Sequence, residues 1–78
     1  MWAQDEKGLH RQFQFANFVQ AWEFMNEVAK LAELHDHHPD WSNSYNKVDI
    51  TLISQDKKQV TERDFRLADA IDKLESYE

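Results

Sequence analysis

"RQFQFANFVQAWEFMNEVA", residues 11–29, changes its periodicity half-way along. Leu9, just before it, and Arg11, Phe13 and Phe15 alternate with polar residues, the period of a strand with one face toward a core. From Phe18 the pattern becomes helical: Phe18, Ala21, Trp22, Met25, Ala29 and Ala32 form one apolar stripe. Asn17 stands between the two patterns, where its side chain can cap a helix running to about Leu34. A second stripe, Phe24, Val28 and Leu31, lies about 120° around the same helix by the 3.6-residue period. The first stripe is expected to cover a sheet. The second then needs another cover, and an exposed apolar patch of this kind points to self-association.

Working outward, "MWAQDEKGLHRQFQF", residues 1–15, reads as a hairpin with the only glycine, Gly8, at its turn. Downstream, Pro39 biases its neighbour away from helical geometry and ends the helix. In "WSNSYNKVDITLIS", residues 41–54, Val48, Ile50 and Leu52 alternate with Asp49 and Thr51, a half-buried strand. Trp41 to Ser44 forms a shorter strand, with Asn46 and Lys47 in the turn. "QDKKQ" is a polar connection. "TERD" follows as a capping box, Thr61 at the cap and Asp64 three residues on, opening a helix that packs through Leu67, Ala68, Ile71 and Leu74. The expected fold is α+β, a sheet of about four antiparallel strands covered on one face by two helices.

With 78 residues the chain makes one domain, expected to span residues 1–78, and buries a modest core. No cysteine occurs, which excludes disulfides, thiolate catalysis and cysteine-ligated zinc. A reducing compartment fits, and a cytoplasmic location is expected. No apolar run approaches the roughly 18 residues that span a bilayer, so no membrane partner is expected. Fifteen acidic against nine basic residues, a net charge of −6, disfavour direct contact with nucleic acid.

Three of the four histidines fall in "HDHHPDW", residues 35–41. Neutral imidazole is the commonest protein metal ligand, but adjacent His37 and His38 in extended chain face opposite sides, and no second cluster completes a coordination shell. His35 is explained by the helix dipole alone, which favours a protonated imidazole at a C-terminus. Asp64 is explained as a capping-box acid, although its spacing from Leu67, Ala68 and Ile71 implies shielding from solvent. Glu33 reads as a helix-surface carboxylate. A metal site, a proton-transfer site and a solvated helix end all stay open on these residues alone.

Taken together, Glu33, three residues, His37-His38-Pro39, five residues, Tyr45, and then Asp64 resemble the signature of the pterin-4a-carbinolamine dehydratases. "RQFQFANFVQAWEFMNEVA" resembles that family's strand-to-helix segment, "YNKVDITL" its central strand and "TERDFRLADAID" its closing helix. Two features depart. The family's additional first helix, ahead of the tryptophan that here is Trp2, has no counterpart. Nine residues beyond Tyr45 the family carries a Thr-His pair, where this chain has Ser54-Gln55.

The resemblance implies dehydration of a 4a-hydroxytetrahydropterin to quinonoid dihydropterin, with pterin as substrate and neither metal nor other cofactor. It makes His37 a general acid/base, His38 a group that orients the substrate, and Gln55 the replacement for a second proton carrier. Glu33, Pro39, Trp41, Ser54 and Asp64 would complete the substrate site. It also implies a homodimer or homotetramer. Imidazole suits the chemistry because its pKa near 6.5 lets it give or take a proton at neutral pH. Gln55 can hydrogen-bond but cannot titrate, so the reaction is expected to be slowed. The alternative is a non-catalytic pterin- or protein-binding member, in the manner of family members that serve as dimerisation cofactors.

Overall fold

A computed structural model describes residues 1–74; residues 75–78, which the expected domain includes, lie outside the described part. The elements run β1 (Ala3–Asp5), β2 (Gly8–Gln14), α1 (Phe18–His35), β3 (Asp40–Ser44), β4 (Lys47–Leu52) and α2 (Glu62–Asp72). The four strands form one antiparallel sheet in the order β1-β2-β4-β3. Both helices pack on the face that carries Leu9, Phe13, Val48, Ile50 and Leu52, and the expected α+β architecture is the one observed.

Alternation along β2 and β4 decides which face is buried. Leu9, Phe13 and Phe15 point into the core, while Gln12 and Gln14 are exposed. The turn of the first hairpin is Glu6-Lys7, and Gly8 closes it as the first residue of β2. Glycine is required there. Its φ is 132°, and a Cβ would stand 2.5 Å from the Leu52 carbonyl oxygen. In the second hairpin Tyr45 and Asn46 make the turn, and Lys47 already belongs to β4.

Asn17 caps α1 as its position suggests, its Oδ1 accepting from the Gln20 N–H at 2.9 Å. The rotation of α1 differs from the expectation. Its buried residues are Ala21, Phe24, Val28 and Ala32. Phe24 sits 4.7 Å from the Phe13 ring and 5.0 Å from that of Phe15. Leu31 is partly buried against the same core. Phe18 and Trp22 from the first stripe instead stack on each other at 5.8 Å, each about half exposed. The cause is the presence of two covers. α1 packs against both β4 and α2, and Phe24 and Val28 belong to the core they share, with small Ala21 and Ala32 completing the buried face. Phe24, Val28 and Leu31 are therefore used within one chain. Phe24 and Val28 have no solvent exposure and Leu31 is half-buried, so the exposed patch on which the expected self-association rested is not formed.

Among the described residues no helix is long and apolar enough to cross a membrane.

Candidate active site

The site is built where α1 stops. Asp36 adopts a left-handed conformation (φ 50°, ψ 44°), which an aspartate tolerates better than most residues. Its N–H donates to the Glu33 carbonyl at 3.2 Å, and the His37 N–H reaches back to Ala32 at 3.0 Å. This pair of bonds is a Schellman-type helix end. It reverses the chain and turns His37 inward while His38 stays outside, as expected for adjacent residues in extended chain.

His37 is 7% exposed and meets Asp64 of α2. The capping box turns Asp64 inward, and no solvent reaches it. Its Oδ2 accepts from the Thr61 N–H at 2.9 Å and from the Ser54 hydroxyl at 2.8 Å. Ser54 Oγ also lies 2.6 Å from Thr61 Oγ1. Burial is the largest influence on the Asp64 carboxyl and pushes its pKa up. The hydrogen bonds from His37, the Thr61 N–H and Ser54 together outweigh it and hold the group below the usual 3.8. Asp64 is thus a carboxylate, and its Oδ1 accepts from the Nε2–H of His37. Among the described residues no buried side-chain nitrogen or oxygen lacks a partner. His37 Nδ1, which bonds to no other residue, is consequently the nitrogen open to the outside.

His37 lines a cavity of about 350 Å³ together with Asp36, His38, Ile53, Gln55, Asp56 and Arg63. His38 Nε2 lies 2.5 Å from Glu33 Oε2, one helical turn back. Exposed Gln55 comes from the connection after β4, and Asp56 pairs with Arg63 at 2.5 Å. The arrangement combines a carboxylate-backed imidazole, a second imidazole and a carboxamide around one small opening.

His37, His38 and Gln55 are therefore brought together. Ser54 and Asp64, expected to contact substrate, do not reach the cavity. Both are completely buried behind His37, because the helix cap and the histidine consume their polar atoms. Trp41 belongs to a different depression, lined also by Asp40, Ser42, Asp49 and Thr51, since its strand β3 lies at the sheet edge. Half-buried Pro39 is not in the cavity wall, and exposed Glu33 acts on it only through His38. Asp36, Ile53, Asp56 and Arg63 were missed. The capping box was the available signal for Arg63, since it places that residue on the same turn as Asp64.

His35 does not join His37 and His38 at the cavity. His35 ends α1 beside Leu31, Arg66, Asp69 and Lys73, and the remaining histidine, His10, bonds Asp5 at 2.8 Å and Thr51 at 3.0 Å. Among the described residues no three metal-ligating side chains group closely enough to hold an ion.

Fold and site together define a small α+β domain with a carboxylate-backed imidazole beside a small cavity at a helix end. The family described as "Pterin 4 alpha carbinolamine dehydratase" matches residues 1–74. The chain belongs to this family. It is 52% identical over 73 residues to a Prochlorococcus marinus protein named "Putative pterin-4-alpha-carbinolamine dehydratase", covering 94% of this chain and 77% of that one. A Rhodospirillum rubrum protein of the same name is 53% identical over 66 residues, covering 85% and 69%. Among solved structures, a transcriptional coactivator/pterin dehydratase from Brucella melitensis superposes with TM-score 0.88 at 37% identity, covering 94% of this chain and 80% of that one. A pterin dehydratase-like RuBisCO assembly factor of the alpha-carboxysome shares the fold, with TM-score 0.76 at 24% identity, covering 95% and 86%.

Proposed function

We propose that the protein dehydrates a 4a-hydroxytetrahydropterin, with His37 Nδ1 as its principal proton carrier. The observation that supports this most is the carboxylate-backed His37 facing a cavity shared with His38 and Gln55. In the reaction the C4a–O bond breaks, the hydroxyl leaves as water after taking a proton, and N5 loses its proton as the N5=C4a bond forms. An imidazole can supply either transfer. Asp64 fixes the ring through its bond to Nε2, leaving Nδ1 to accept the N5 proton. His38, held by Glu33, orients the pterin. Gln55 holds the departing hydroxyl or a water by hydrogen bonding.

Stopped-flow dehydration of a chemically generated 4a-hydroxypterin, with and without protein, tests this reading. Acceleration that disappears in His37→Ala supports it. Pterin binding without acceleration moves the reading to a non-catalytic member, which the absence of a titrating group at residue 55 favours. A homodimer or homotetramer belongs to either reading, with an interface that does not use the enclosed Phe24 and Val28.

A further inference from the structure

The connection after β4 closes on itself. Ser54 bridges to Gln59, and the Lys58 N–H donates to the Ser54 carbonyl at 2.7 Å. Residues 55–59 are all exposed, and the next anchored residue is half-buried Val60. Within this stretch Gln55 has two neighbours, and both are tied to the first turn of α2. On one side Ser54 bonds to Asp64 and Thr61, buried. On the other, Asp56 Oδ1 accepts from Arg63 Nη2, exposed. Arg63 and Asp64 are consecutive. Residue 55 is therefore bracketed by two ties to one helical turn, the same turn that backs His37.

We propose that Asp56 and Arg63 form a clamp that positions residue 55 over the cavity, acting on proton transfer through that residue and not by touching the substrate. The inference rests on the dehydratase reading. The Arg63 guanidinium is already engaged by Asp56 and holds that carboxyl below its ordinary pKa, which suits a tie between loop and helix. Of the described side chains between Gln55 and Gln59, only that of Asp56 makes such a tie. Backbone bonds between Ser54 and Lys57, Lys58 and Gln59 close the loop on itself. The Asp56–Arg63 pair therefore acts on how the closed loop lies against α2, and without it the loop and Gln55 can lean away from the cavity. One exposed ion pair shifts such an equilibrium by about two- to fivefold.

The test compares Asp56→Asn, Arg63→Gln and the exchanged double variant Asp56→Arg/Arg63→Asp, each alone and with Gln55→His. Backbone ¹⁵N relaxation of residues 55–58 reads loop order on the ps–ns scale. Stopped-flow dehydration reads turnover, and titration with dihydrobiopterin reads affinity. Each single variant is expected to loosen the loop and lower turnover about two- to fivefold, with affinity changed less than twofold. The exchanged pair is expected to recover both. A loss of affinity in Arg63→Gln that the exchange does not recover would overturn the clamp and make Arg63 a substrate contact. Loop relaxation unchanged in every variant would overturn it as well. If neither the parent nor Gln55→His accelerates dehydration while both bind dihydrobiopterin, the dehydratase reading fails, and the relaxation measurements still decide the clamp.

Discussion

Asp64 and His37 stand 27 residues apart in the chain and meet in the interior, the carboxylate accepting the imidazole Nε2–H. That bond joins the start of α2 to the end of α1 and leaves Nδ1 as the ring nitrogen to which the proposed proton transfer is assigned. It resembles in logic the aspartate that orients a general-base histidine in hydrolases.

His37→Ala should lower dehydration turnover by about 10²-fold or more, the usual effect of losing a positioned acid/base group. His35→Ala should leave it within about twofold, because His35 lines a different depression, with Leu31, Arg66 and Lys73. Parallel turnover measurements check this. Equal losses would mean that the two imidazoles act as one site.

Asp64 should make the fold sensitive to acid. Its folded pKa lies below the usual 3.8, so the unfolded chain binds the proton more readily. The stabilisation is then complete above about pH 4 and declines as pH falls through the depressed folded value. Asp64→Asn should be less stable at neutral pH and lose less stability on acidification. Urea midpoints measured from pH 7 downward report both slopes, and parallel slopes would place the acid sensitivity elsewhere.

Gln55→His should raise turnover by at least about tenfold, a cautious figure below the roughly 10²-fold that one well-positioned acid/base group supplies. The two side chains are similar in size, and Gln55 is exposed at the cavity wall, so the exchange needs little rearrangement. Pterin affinity should change far less. An unchanged turnover against measurable parent activity would remove residue 55 from the proton path.

The rotation of α1 can be checked by stability alone. Phe24→Ala empties a site with no solvent exposure between two rings and should cost about 3–5 kcal/mol. Trp22→Ala, at 49% exposure, should stay within about 1 kcal/mol in a monomeric preparation. Denaturant unfolding of the two variants decides it; the reverse order would restore the first stripe to the core.

Strands, helices and their caps were legible in the chain because each rests on short-range periodicity: the two-residue alternation of Val48, Ile50 and Leu52, the Asn17 cap and the Thr61–Asp64 box. The separate directions of His37 and His38 were legible for the same local reason. Their proposed roles came instead from the resemblance to a family. Tertiary structure alone decided which arc of α1 is buried, since two stripes 120° apart score alike until the sheet and α2 choose between them. It also decided that Ser54 and Asp64 lie behind His37 rather than against a ligand, and that Arg63 and Asp56 share the cavity with Gln55. Those placements depend on contacts between residues distant in sequence, and neither the composition nor the period of either segment contains them.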